Sequence, residues 1–155
     1  MGEYALIRVS RASAIQAAVL SVVSLIAVAP AVQAEPKKPA SEEGGKYFDA
    51  EGVATYNVKP DGTVDWYTYS GFRRYHAECH VCHGPDAMGS TYAPALIQSV
   101  ERMSYQDFIA VIIQGRQNVG TGSQSVMPSF GTNKNVVCYL DDIYVYLRAR
   151  SDGAM

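Results

Sequence analysis

Histidine, tryptophan and phenylalanine are scarce in this 155-residue chain, at three, one and four residues. Cysteine occurs three times, an odd number that cannot close into a fully paired disulfide framework. A four-ligand zinc site wants a second ligand pair at short spacing, and beyond His83 the only histidines are His76 and His80. A basic excess is missing too: the formal net charge is −2. Removal of residues 1–34 would take away two of 13 basic and one of 15 acidic side chains, leaving about −3. That argues against a nucleic-acid partner. No second long apolar run follows residue 34. No paired carboxylates and no nucleophile beside a base stand out, and Asp141-Asp142 reads as a solvated helix face.

What is present begins with a leader. Arg8 and Arg11 precede an uncharged stretch, Ala12 to Ala34, that ends in small residues Ala31 and Ala34. A basic flank, an apolar run and a small-residue exit predict a secretory signal over residues 1–34, cleaved after Ala34. The alternative is an uncleaved anchor, since the stretch is long enough to span a bilayer. Membrane contact is expected only through such an uncleaved leader. Export would place the mature chain in the periplasm, an oxidising compartment.

Residues 35–45 read as a flexible tether and 46–68 as a Tyr-rich extension packed on the main domain, with Pro60-Asp61-Gly62 as a turn. "TVDWYTY" admits a short strand. A helix is expected to run through about Cys82, stopped by Gly84-Pro85. "STYAPALIQSV" reads as a loop held by Pro94. "SYQDFIAVIIQG" reads as a helix with a Ser104/Asp107 capping box and a Gly115 C-terminal cap. "RQNVGTGSQSVMPSFGTNKN" reads as a long functional loop. "NVVCYLDDIYVYLRARS" closes the domain as one helix, with Cys138 a buried thiol and 151–155 a tail. The fold class is all-α. The helices carry few aliphatics, which leaves room for another group at the centre.

That group is suggested by Cys79-His80-Val81-Cys82-His83. Cys-x-x-Cys admits a redox disulfide, half a zinc site or a covalent haem anchor. A redox pair wants a βαβ context, and no strand pattern precedes Cys79. Cys-x-x-Cys-His is the attachment pattern for haem c. Two cysteines on a helical turn reach two vinyl groups, and His83 then faces the iron. His76 and His80 read as solvated or hydrogen-bonded rather than iron-binding. A second axial ligand would come from Met88, Met103 or Met127, or be absent, and Met127, braced by Pro128, fits best. The Pro94 carbonyl suits the other ring N–H of His83.

On these residues the chain resembles the class I cytochromes c from Tyr69 to Arg150. The resemblance implies a cytochrome domain over 69–150 around one covalent haem, with Gly71 and Tyr75 crossing Tyr146. It implies Cys79, Cys82, His83, Pro94 and Met127 as cofactor-binding, and His83 and Met127 as the iron ligands. The stretch from Gly62 through Leu96 is similar to the periplasmic cytochromes that accept electrons from lanthanide-dependent, pyrroloquinoline quinone (PQQ) methanol dehydrogenase. That likeness implies a one-electron carrier, not a catalyst, passing electrons to another cytochrome c or a terminal oxidase. Two alternatives stay open: a haem peroxidase or ligand sensor with an open sixth position, and a structural haem subunit of a redox complex.

Overall fold

The computed structural model describes residues 39–119 and 124–155. The leader, and the first part of the tether, lie outside the described residues. Among the described residues, no helix is long and apolar enough to cross a membrane.

The described part opens with β1 (Ser41–Glu43), β2 (Lys46–Phe48) and β3 (Ala54–Thr55), an antiparallel sheet in that order. The tether expectation therefore gives way to a hairpin over its last residues. Gly44 and Gly45 supply the two consecutive positive φ angles, 59° and 80°, that a two-residue turn demands. Val58 and Val64 then bridge across the expected Pro60-Asp61-Gly62 turn.

The helices are α1 (Trp66–Glu78), α2 (His80–His83), α3 (Leu96–Arg102), α4 (Tyr105–Gln114), α5 (Lys134–Val137) and α6 (Leu140–Ser151). Within the possible strand at "TVDWYTY", Val64 makes only that isolated bridge, and Trp66 to Tyr69 form the first turn of α1. Asp65 caps it, accepting from the Tyr67 and Thr68 amides at 2.9 Å each. The loop expected at "STYAPALIQSV" contains α3. The long loop expected after Gly115 is a hairpin, β4 (Arg116–Val119) paired with β5 (Gln124–Met127). Two short sheets are added at the periphery, and helices build the core, in keeping with the all-α expectation. α4 has both of its expected caps: Ser104 accepts from the Asp107 amide at 3.1 Å, and Gly115 ends the helix at φ 75°.

The core centres on α6. Ile143, Tyr144, Tyr146 and Leu147 pack with Tyr75, Val100, Phe108, Ile112 and Val136. On the other side, Val145 and Ala149 pack with Tyr56 of the extension. Burial on both sides is why α6 hides every residue from Asp142 to Leu147. Tyr56 is tied to the helix end as well, donating to Asp152 at 3.0 Å.

Two further expectations change. The last helix breaks at Cys138-Tyr139 into α5 and α6, and the break leaves Cys138 exposed rather than buried. Asp141 and Asp142 are not a solvated face. Asp142 is buried, and Asp141 accepts from the Tyr105 hydroxyl and, at 3.1 Å, from Lys46 Nζ. The extension and α4 cover this end of α6.

Candidate functional site

The site starts where α1 runs out. Cys79 keeps helical angles and donates to the Tyr75 carbonyl at 2.8 Å, while His83 donates back to the Cys79 carbonyl at 3.0 Å. The chain therefore keeps coiling from α1 through α2, and Cys79, Cys82 and His83 lie on one short helical stretch. Gly84, at φ 78°, turns the chain away. The buried Tyr75 hydroxyl donates to the Gly84 carbonyl and fixes that exit; burial holds its ionisation well above the usual phenol range.

His83 is buried, and its Nδ1 lies 2.9 Å from the Pro94 carbonyl oxygen. A carbonyl can only accept, so Nδ1 carries the proton and the neutral ring keeps its lone pair on Nε2. The loop between them is held from several sides. The Gly89 amide donates to the His83 carbonyl at 2.9 Å, and Ser90 closes on the Ala93 carbonyl at 2.9 Å. A Cβ at Gly89 would stand 2.7 Å from the Ala95 nitrogen and 3.0 Å from the Pro94 carbonyl carbon. Glycine at 89 is what lets the backbone close against Pro94. Ala87, fully buried, sits at φ 59°, a conformation that costs an alanine about 1 kcal/mol. Its carbonyl accepts from Leu96 at 2.8 Å and Ile97 at 3.3 Å, which docks the loop on the start of α3.

Pro94 also borders a cavity of about 690 Å³. That volume falls in the range of cofactor pockets, roughly 300–1,000 Å³. Pro94, Ala95, Met103 and Val111 give it apolar wall, Gln98, Ser99 and Asp107 give it polar wall, and Arg102 and Arg116 add two guanidinium groups. Met127 reaches this region through register: it pairs with Arg116 across the β4–β5 hairpin. The turn is tight, since a Cβ at Gly115 would stand 2.6 Å from the Met127 carbonyl oxygen. Met127 and Met103 are both partly buried against the core, whereas Met88 is 63% exposed.

The structure thus joins Cys79, Cys82, His83 and Pro94 in one unit, and sets Met127 on a separate element, paired with the cavity-lining Arg116. Sequence reasoning missed Arg102, Arg116 and the Gly89 approach. The glycines in "AMGS" and "IQGR" were the available signal, but which backbone each admits is set by residues the periodicity does not connect.

The donor set discriminates among the three readings of Cys-x-x-Cys. Burial, with Glu78 and Cys82 adding to it, pushes the Cys79 thiol up to about 12. A redox pair requires the reverse, a thiol shifted down towards thiolate. Among the described residues, no three His, Cys, Asp or Glu side chains converge to hold a metal ion, so a four-ligand zinc site is not assembled. Two unpaired thiols, an imidazole with Nε2 available, and a cavity of mixed apolar and polar lining with two guanidiniums fit a haem with its carboxylates.

The family described as cytochrome c oxidase, cbb3-type, subunit III matches residues 68–147, just over half of the chain. Cytochrome c-553I of Paracoccus denitrificans is 57% identical over 115 residues, covering 74% of this chain and 51% of that protein. The chain therefore spans about half the length of that relative. Cytochrome c-555 of Methylococcus capsulatus is 38% identical over 93 residues, covering 59% of this chain and 69% of that one. The crystal structure of the c-type cytochrome XoxG from Methylobacterium extorquens AM1 is similar with a TM-score of 0.70 and 58% identity. That match covers 77% of this chain and 72% of the other.

Proposed function

The chain belongs to the class I cytochromes c, electron-transfer proteins rather than catalysts, and from that premise we propose that it is a periplasmic carrier of single electrons. Its donor is a PQQ-dependent methanol dehydrogenase, and its acceptor is another cytochrome c or a terminal oxidase. The observation that carries the reading is the pairing of buried His83 with the Pro94 carbonyl, directly after two free thiols and beside the cavity.

In this reading Cys79 and Cys82 would hold one haem c by thioethers, and His83 Nε2 and the Met127 sulfur would hold its iron. Haem supplies an iron that changes by one electron. The protein's share is to hold, orient and exclude water. The Pro94 hydrogen bond fixes the His83 ring and raises its basicity as a ligand. Arg102 and Arg116 offer counter-charges for the haem carboxylates. With His83 and Met127 both holding the iron, no position would be left for peroxide or a gas, which would separate a carrier from an open-site haem protein.

Docking fits the loop around the motif. Val81, Met88 and Tyr92 are 75%, 63% and 79% exposed, an apolar group beside the attachment cysteines. Electron-transfer partners use small, weak interfaces, because a carrier must also leave. The likeness of "GTVDWYTYSGFRRYHAECHVCHGPDAMGSTYAPAL" to the methanol-linked cytochromes supports the choice of donor.

The test is reduction of the ferric protein by purified PQQ methanol dehydrogenase with methanol present, followed by stopped flow. Saturable reduction at turnover-competent rates is expected. Slow, unsaturable reduction beside fast reduction by another periplasmic donor would reject the dehydrogenase and leave the carrier standing. A high-spin ferric spectrum lacking the sulfur-to-iron band would reject the carrier itself.

A further inference from the structure

Glu78 ends α1, one residue before the attachment cysteine Cys79, and its side chain is half-buried. Each carboxylate oxygen is taken by a different asparagine. Asn133 Nδ2 donates to Oε2 at 3.0 Å, and Asn135 Nδ2 donates to Oε1 at 2.8 Å. These donors stand 55 and 57 residues further along the chain. Among the described residues Glu78 forms no ion pair, so its charge is met by the two amides.

The donors are preset for this contact. Asn133 caps α5, its Oδ1 accepting from the Asn135 amide at 2.9 Å. That bond fixes which end of the Asn133 amide is oxygen and leaves Nδ2 for the carboxylate. A carboxylate can only accept, so Asn135 turns Nδ2 to it as well. Arg74, one turn before Glu78 and on the same helix face, lies 3.9 Å from the Tyr139 ring centroid. One edge of α1 thus meets the chain on either side of α5. The strap that leads from Met127 to Asn133 is tied elsewhere to the end of α4. The Phe130 amide donates to the Ile112 carbonyl at 2.9 Å, and the Ser129 hydroxyl donates to the Ile113 carbonyl. The Asn133 amide closes back on the Phe130 carbonyl at 2.9 Å, which makes the link from strap to clamp a tight turn.

We propose that Glu78 is a positioning residue for the sixth iron ligand: it bolts the Met127 strap to the stretch that carries Cys79, Cys82 and His83, and so holds the Met127 sulfur against displacement. This rests on the reading of Met127 as that ligand. It does not depend on which protein donates electrons. Imidazole suits iron, so added imidazole competes with Met127 for it. A competitor that binds only when the strap has let go has its affinity lowered by the fraction of protein in that state. The apparent affinity for imidazole therefore reads how firmly the strap is held.

The test titrates imidazole into the ferric holoprotein and follows the sulfur-to-iron band. Glu78→Ala should raise the apparent affinity for imidazole about tenfold or more, because hydrogen bonds to a charged acceptor are the strong ones and both asparagines lose theirs. Glu78→Gln keeps one acceptor and should fall between Glu78→Ala and wild type. Asn135→Ala cuts the clamp from the strap side, outside the attachment stretch, and should also raise the affinity; it decides the matter even if Glu78→Ala takes up haem poorly. Tyr56→Phe removes a hydroxyl bonded to Asp152 on the other side of α6, and should leave the affinity unchanged. Wild-type affinity in Asn135→Ala, or in a Glu78→Ala protein whose unfolding midpoint has dropped, makes the contact merely structural and overturns the proposal. An equal rise in Tyr56→Phe overturns it too. A wild-type protein without the sulfur-to-iron band overturns the Met127 reading and the clamp together, whereas the band with unchanged variants overturns the clamp alone.

Discussion

Gly71 of α1 lies so close to Asp142 of α6 that a Cβ built on it would stand 1.8 Å from the Asp142 carbonyl oxygen and 2.9 Å from the Tyr146 Cβ. The two helices cross here with backbone against backbone. Aromatic rings flank the contact: Tyr75 and Tyr146 are 5.3 Å apart, and Phe72 meets Tyr146 edge-on at 5.7 Å. The crossing holds the attachment stretch, at the end of α1, against the most buried helix of the fold.

Gly71→Ala tests that geometry. In an open helix alanine would gain about 1 kcal/mol over glycine. Here the added methyl must push α1 off α6, an overpacking cost of roughly 3 kcal/mol that outweighs the gain. Denaturant unfolding of the holoprotein should show a net loss of about 2 kcal/mol. An unchanged or raised midpoint would mean that the helices do not cross at this residue.

Covalent attachment is checked with cysteine variants. Changing either Cys79 or Cys82 to Ala should leave haem on a single thioether, and changing both should leave none. Haem staining after denaturing electrophoresis reads this directly. Stain retained by the double variant would contradict the attachment. Met127→Ala, with both cysteines intact, should turn the ferric protein high-spin and let it bind added imidazole. If its spectrum matches wild type, Met103, which borders the cavity, is the next ligand to test.

Local signals made much of this legible, and distant ones did not. The attachment motif pointed to His83 and Pro94, and the two are hydrogen-bonded. Both ends of α4 were readable because Ser104 and Gly115 act within a few residues. α3 was not readable: Ala95 offers no side-chain cap, and the Leu96 and Ile97 amides are satisfied by the carbonyl of Ala87, far back in the loop. The β4–β5 hairpin lacks the alternation that marks a strand, so it read as loop. Asp142 carried no mark of burial because the residues covering it, in α1 and the extension, lie far back in the sequence.

The two neighbouring aspartates should answer pH in opposite ways. Burial raises the Asp141 carboxyl, but the Tyr105 and Lys46 hydrogen bonds outweigh it, and the group titrates below its ordinary value of 3.8. Its stabilisation is complete above that value and is lost as pH falls through the lower folded value. Asp142 is raised, by burial first, with the charge on Asp141 adding to it. It favours the fold below 3.8 and that contribution is lost as pH rises through the folded value. Asp141→Asn should therefore cost about 0.5–1 kcal/mol at pH 7, discounted for its exposure, and the cost should fade in acid. Asp142→Asn should gain on wild type as pH rises from 3 to 7. Melting curves across that range check both signs, and parallel curves for the two variants would refute the assignment.

The docking surface can be separated from the extension by three substitutions. Tyr92 and Met88 are largely exposed on the loop that follows the attachment cysteines. Trp66 is 69% exposed too, but it begins α1, a full helix away from Cys79. Electrons must enter near the haem edge, so the loop residues should matter to the donor and Trp66 should not. Aromatic side chains at the centre of an interface commonly carry more than 1 kcal/mol, and each 1.4 kcal/mol is tenfold in affinity. Tyr92→Ala should weaken the complex about tenfold on that scale, acting mainly on its dissociation. Met88→Lys should do the same by placing a charge in an apolar contact. Reduction by methanol dehydrogenase should then need about ten times more enzyme to saturate, with the limiting rate, potential and haem spectrum unchanged. Trp66→Ala should behave as wild type in every measurement. If Trp66→Ala raises the half-saturating concentration while the loop variants leave it alone, the donor docks on the N-terminal end of α1, and the path of the electron does not begin at the exposed attachment loop.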